Sequence, residues 1–316
     1  MAAFPIPANP TTGATLDTAV RLSIARRTIM ANAQYRVWEQ IAQVREAVSG
    51  TGADFPIMDA ISVDTTALSG TASPEPTQLT DSHASITTAE YGLASELGKK
   101  LLRNSEARVL DDAVGTIATH AAEKIDLVAG TAALGGSSVR YAGGQANANA
   151  LTATDIINKA EIIRAKATLE LARAPKFLNG TFAAVLNSVS INDLFNSGGT
   201  AGDFMDVSKY ATPETIRTGE IGQWMGFTFF RASQANIATL AAGALNVADK
   251  ISSLFCGDHF LGKAVGLDIT IIPARDLGDI LDRFIALGWK ADLGFGRIKE
   301  TNGLRVVSRS AFASNP

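Results

Sequence analysis

Three histidines, one cysteine and three evenly spaced aspartates are the residues of this chain whose types and spacing could do chemistry. His83, His120 and His259 fall in separate segments. His120 and Glu123 share a helix face, but no third ligand follows at a zinc-site spacing, so packed or surface histidines are the better reading. Asp276, Asp279 and Asp282 could line one face of a helix as a carboxylate cluster for acid–base or metal work. Arg275 and Arg283 stand beside them and no glycine-bearing calcium loop is present, which favours a solvated, partly neutralised turn. Residues 257–264, GDHFLGKA, have the GxxxxGK frame of a phosphate loop. They lack the Ser/Thr that would hold magnesium, and the AVGLDITII that follows reads as strand, not as a helix whose amino terminus could cradle phosphate. Cys256 has only His259 as a cationic neighbour in sequence and reads as a small buried apolar side chain. No nucleophile elbow, paired-cysteine motif or dinucleotide fingerprint appears, so no catalytic, cofactor or metal residue is assigned and a non-enzyme is expected.

Composition narrows the class. The 316 residues are 46% hydrophobic, enough core for one large or two ordinary domains. A net charge of −3 gives no overall basic footprint, so the chain is not built as a dedicated nucleic-acid binder. One cysteine cannot make an internal disulfide, which suits a reducing cytoplasm. No stretch approaches the roughly 18 apolar residues of a membrane helix, and no charged leader precedes an apolar run, so a soluble, unprocessed chain is expected.

The elements that would position any site are organised around residues 105–130. Apolar residues recur there every three to four positions, from Val109/Leu110 through Ile117/Ala118 and Ile125 to Val128/Ala129, with Asp112, Thr116, Glu123 and Asp126 between them. This spacing predicts one long amphipathic helix, about 38 Å at 1.5 Å per residue, capped by Asn104 or Ser105 and closed by Gly130. Before it, Leu16, Val20, Ile24, Tyr35, Trp38, Ile41 and Val48 predict one or two helices in a mildly basic segment. FPIMDAISV and HASITTAEY read as two strands joined by a Thr/Ser/Pro-rich tract too long for an ordinary hairpin. A two-stranded ribbon is marginal alone, so ordering by another subunit is expected. Residues 135–150 read as a domain boundary or an exposed crossover. A helix with Ile156, Ala160, Ile163, Ala167 and Leu171 buried follows, capped by Thr152 or Thr154 and ended by Pro175. Then come FAAVLNSVSINDLF as strand and short helix, GEIGQWMGFTFFRAS as strand, and a last quarter of successive strands expected, with the early ribbon, to form a second sheet that returns to the region of the long helix. Helices among irregularly spaced strands argue for an α+β fold.

The order of these pieces carries a resemblance. A basic amino-terminal arm, a ribbon with a Thr/Ser/Pro tip, ITTAEYG at 86–92, a long helix running through KIDLVAG and a later VSKYATPETIRTGEIGQWMGFTFF are together similar to major capsid proteins of tailed bacteriophages, more narrowly to the subgroup of the phage N-four coat protein. The most specific pieces are Glu90-Tyr91-Gly92, Gly219-Glu220-Ile221-Gly222 and Trp289-Lys290, each a turn or packing point in that family. The resemblance implies a Hong Kong 97-type fold with an N-terminal arm (1–54), an extended β-ribbon loop (55–91), a peripheral domain with the spine helix (92–150), an axial domain (151–249) and a return to the peripheral domain (250–316). It implies hexamers and pentamers of the chain in an icosahedral shell around double-stranded DNA, located in the virion, with scaffolding, portal and decoration proteins as further partners and no membrane. Leu68, Glu75, Asp81, Lys99 and Arg103 are the expected inter-subunit contacts, and Arg21, Arg26 and Arg27 the expected DNA-facing residues. The alternative is an encapsulin-like shell of the same fold enclosing cargo protein.

Overall fold

The computed structural model describes residues 36–46, 52–58, 81–100, 109–196, 220–232, 250–272 and 283–310. In place of helix up to Val48, the chain makes one helical turn, α1 (Val37–Gln40), and turns into strand β1 (Ala42–Glu46). The reason is tertiary: β1 pairs in parallel with residues 261–265, and that ladder overrides the local helical spacing, leaving Val44 59% exposed. The expected ribbon is present as β2 (Gly52–Met58) and β3 (Asp81–Thr87), antiparallel from Gly52↔Thr87 to Met58↔Asp81. Its root is fixed by period-two alternation, which sends Ala53, Phe55 and Ile86 against Ala264 and Ile298. The connecting tract 59–80 lies outside the described residues. After Thr88 the chain continues as β4 (Ala89–Gly98), so HASITTAEY spans parts of two strands.

The spine is α2 (Val109–Leu134), 26 residues and about 39 Å long at 1.5 Å per residue. Its expected start at 104–105 falls outside the described residues, and its end is four residues beyond the expected stop. Gly130 is a buried interior position, where an added Cβ would lie 2.8 Å from Trp38 Nε1. The helix ends instead where Arg297 and Arg305 donate to the carbonyls of Ala132 and Leu134, at 2.7 and 2.6 Å. Its apolar stripe packs as expected: Val114, Ile117, Ala121 and Ile125 meet Ile271, Leu287, Trp289 and Leu293.

Residues 135–150 are more than a boundary. They hold β5 (Val139–Tyr141), an edge strand that needs ladder bonds more than apolar bulk. In α3 (Lys159–Leu171) the buried stripe is out of phase with the expected one: Glu161, Ile162, Ala165 and Leu169 face inward, while Ile163 and Leu171 are 47% and 85% exposed. Glu161 turns inward because Arg140 and Arg164 pair with it at 3.3 and 2.6 Å. The cap is Asn158, whose side chain accepts from Glu161 N–H at 3.1 Å. β6 (Phe182–Asn187), buried at every position, leads into α4 (Ser188–Asn196) as expected. β7 (Glu220–Trp224) and β8 (Phe227–Ala232) form a hairpin through Met225 and Gly226, both at positive φ, as a type I′ turn requires.

The last quarter divides between two sheets. β10 (Leu261–Ile272) and β11 (Phe284–Arg297) form a four-stranded sheet, β1-β10-β11-β4, that packs on α2. β9 (Lys250–Cys256) and β12 (Gly303–Arg309) join a six-stranded sheet, β5-β12-β9-β6-β8-β7, and the ribbon β2-β3 stays a two-stranded sheet of its own, so the expected second sheet beside the long helix holds for β10 and β11 alone. A core of Phe182, Phe227, Phe229 and Phe255 with Ile162 and Leu169 fills the space between the six-stranded sheet and α3. The Phe227 ring lies 5.2 Å from that of Phe255 and 5.7 Å from that of Phe182, tilted pairs of the favoured kind.

Candidate assembly surfaces

The candidate chemistry resolves into packing. Residues 257–260 turn from β9 into β10 and no helix follows, so GDHFLGKA forms no phosphate loop. Gly262 is glycine because the ribbon root sits on it: a Cβ there would lie 2.7 Å from Ile86 and 3.0 Å from Phe55. His259 shares a hydrogen bond of 3.0 Å with Gln43, His120 Nδ1 accepts one of 3.3 Å from Trp289 Nε1, and His83 is exposed on β3, so the structure brings none of the three together. Burial raises the Cys256 thiol pKa far above its usual value, which leaves it inert. Asp276, Asp279 and Asp282 lie outside the described residues, and among those described no cluster of His, Cys, Asp or Glu could hold a metal.

Sequence reasoning missed a buried ionic junction. α1 places Arg36 and Glu39 against α2 and β10, where Glu39 Oε2 pairs with Arg36 and Glu39 Oε1 lies 2.7 Å from Lys263 Nζ, off the hydrogen-bond direction. Asp126, 1% exposed, faces the same junction. Its Oδ1 accepts the Trp38 backbone N–H at 3.2 Å and its Oδ2 is buried without a partner. Burial, with the charge of Glu39 adding, raises its pKa from 3.8 to about 7, against the lowering effect of the Trp38 and Val37 N–H groups and Arg36. The signals were present but disconnected: Asp126 is adjacent to the apolar stripe, and Lys263 is the lysine of the discarded GxxxxGK.

The residues expected at inter-subunit contacts are mostly beyond description. Leu68, Glu75 and Arg103, and the DNA-facing candidates Arg21, Arg26 and Arg27, lie outside the described residues. Asp81 is exposed at the start of β3. Lys99 follows β4, its backbone N–H donating to Arg283 O at 2.7 Å, so the two stand at opposite ends of the β3–β4 run. Two of the three motif pieces do meet: Tyr91 and Gly92 register with Ala291 and Lys290, and Leu93 with Trp289. An added Cβ on Gly92 would lie 2.8 Å from Trp289 O, which makes this glycine a packing point, as in the resemblance. Among the described residues no helix is long and apolar enough to cross a membrane.

No protein-family model and no curated protein matches the chain. Solved structures do. The capsid of Ralstonia phage GP4 matches with a TM-score of 0.72 at 11% identity, over 87% of this chain and 88% of that one. The cyanophage Pam1 capsid matches with 0.64 at 15% identity, over 86% and 89%. The capsid of cyanophage P-SCSP1u gives 0.62 at 14%, over 87% and 88%. The chain has the phage-capsid fold. It is α+β and of the Hong Kong 97 type, as the order of arm, ribbon, spine helix and sheets implied, and the match runs across nearly the full length of both partners.

Proposed function

We propose that this chain is the major capsid protein of a tailed bacteriophage, assembling with copies of itself as hexamers and pentamers into an icosahedral shell around double-stranded DNA. The observation that carries the reading is the fold match to phage capsid structures over 86–87% of a chain that also has a separate two-stranded ribbon beside two larger sheets. The ribbon would be the extended loop that lies on a neighbour. α2 with β4, β10 and β11 would form the peripheral part, and 151–249 most of the axial part, extended by β9 and β12. Residues 1–54 would be the arm, with Arg21, Arg26 and Arg27 toward DNA through non-specific phosphate contacts. Lys99 and Arg103 of one copy would meet Glu75 and Asp81 of another, setting register more than stability. Scaffolding, portal and decoration proteins would complete the virion in which the chain resides. Electron microscopy of the purified protein is expected to show closed shells of uniform diameter, and particles from infected cells to protect DNA from nuclease. A monomer at high concentration, or shells filled with protein and devoid of DNA, would refute this reading.

A further inference from the structure

Where the ribbon leaves the body it borders a cleft of about 250 Å³. Ile57, Pro175 and Ile298 give it apolar walls, while Arg173, His259 and Lys299 stand around it. Arg173 and His259 are two of the three non-glycine residues at positive φ among the described residues, at 52° and 56°. Arg173 terminates α3, where its N–H donates to Glu170 O and that of Ala174 to Leu169 O, a left-handed helix stop that glycine ordinarily fills. His259 sits in the β9–β10 turn, another place where glycine is the easy choice. Both positions thus carry large polar side chains at a conformational cost, and both line the same cleft. Arg173 and Lys299 make no ion pair among the described residues, and nearby Asp258 is turned to His259, accepting its N–H at 2.8 Å.

The opposite charge lies in the ribbon. Residues 46–98 contain no Lys or Arg, and the stretch from Asp54 to Asp81 carries Asp54, Asp59, Asp64, Glu75 and Asp81. A purely acidic segment in a chain of net charge −3 leaves the remaining residues with a positive balance, and a strand ribbon that is marginal alone must find a surface.

We propose that the cleft of Arg173 and Lys299 receives the part of the acidic 59–81 tract that carries Asp59 and Asp64, from a second copy of this chain; Glu75 and Asp81 remain with Lys99 and Arg103. This rests on the shell-forming reading above and names the receiving surface. The apolar walls favour a peptide, whose side chains can fill them, over a phosphate backbone, which cannot. The contact needs no large energy: a shell repeats it many times, and exposed charge pairs act chiefly on register and encounter.

A fluorescent peptide of residues 59–81 titrated into the purified chain at low salt tests the cleft directly. Binding is expected, weakening with salt and falling about tenfold or more in Arg173→Glu/Lys299→Glu and in the milder Arg173→Gln/Lys299→Gln. Equal binding by the wild-type chain and both variants overturns the proposal, as does a DNA duplex that binds this cleft in preference to the peptide. Assembly then decides whether the tract comes from a second copy. The Arg173→Glu/Lys299→Glu chain and an Asp59→Lys/Asp64→Lys chain, each folded by circular dichroism, are expected to close no shells alone and to close them when mixed equally. Shells from either alone, or none from the mixture, overturn it. A wild-type chain that never forms shells fails the reading of function itself, and the peptide titration still judges the cleft.

Discussion

Replacing Asp126 by Asn should remove a pH dependence that the wild-type fold cannot avoid. The Asp126 carboxyl, pushed up to about 7 by burial, keeps its proton in the folded chain through a range in which an unfolded chain has already lost it, since a free aspartate ionises near 3.9. Between those values the folded state binds more protons than the unfolded one. Stability therefore falls as pH rises from about 4 to about 7 and levels off above. A gap of about three units at 1.36 kcal/mol each sets the loss at about 4 kcal/mol, with no discount for solvent because the side chain is 1% exposed. Asparagine cannot ionise. Its carbonyl can keep the Trp38 N–H bond, while its NH₂ takes the place of the unpartnered Oδ2 at a constant cost of about 1–3 kcal/mol. The readout is consequently a slope and not an offset. Urea unfolding of dispersed subunits, followed by tryptophan fluorescence at several pH values, should show the variant gaining about 4 kcal/mol on the wild type between about pH 4 and pH 8. Two parallel curves, or a wild type that gains stability relative to the variant as pH rises, would refute the account of the junction.

Three further outcomes follow from the same packing. Gly130→Ala places a methyl 2.8 Å from the Trp38 indole nitrogen, so the overpacking cost, about 1–3 kcal/mol, should exceed the roughly 1 kcal/mol of helix propensity gained, and the melting temperature should drop. Ile117→Asp buries a carboxylate among Trp289, Leu287 and Ile271 and should cost several kcal/mol, roughly 3–5, detaching the helix from the four-stranded sheet. Near wild-type melting of that variant would mean the stripe is no core face. If the proposed loop serves assembly, deleting residues 68–78 should leave circular dichroism unchanged and abolish closed particles; normal particles would contradict the role given to the ribbon.

The long helix, the ribbon and most strands were legible because each announces itself locally, by a period of 3.6 or 2. What failed was decided by distant residues. Gly130 reads as a helix stop until Trp38 is seen lying against it, and only the pairing with Arg297 and Arg305 puts the end at Leu134. The two possible faces of α3 are about equally apolar in sequence. Arg140, which makes it possible to bury Glu161, lies 21 positions away in the chain and chooses between them. β1 looks helical and becomes a strand because β10, more than two hundred residues later, offers it an edge. The ionic junction draws on α1, α2 and β10, and nothing in one sequence links residues 36, 39, 126 and 263.

These nonlocal ties converge on one end of the spine. The forward half of α2 packs on the four-stranded sheet through Ile117 and Ile125, whereas Ala129, Ala133 and Leu134 pack with Val185, Ile251 and Leu254 of the six-stranded sheet. The last carbonyls are held by Arg297 from β11 and Arg305 from β12, one arginine from each sheet. Trp38 and Ile41 join the same cluster, so the turn at which the amino-terminal segment enters the body also bears on both sheets. Small residues make this possible: Ala129, Gly130 and Ala133 let α1 and the six-stranded sheet approach the helix backbone, where a larger side chain would hold them apart. One cluster thus touches both sheets, and Asp126, buried beside it with its Oδ2 unpartnered, has its pKa raised to about 7. A proton gained or lost there acts on the helix that both sheets touch. The pH slope expected of the wild-type chain therefore originates at the helix end that contacts both sheets.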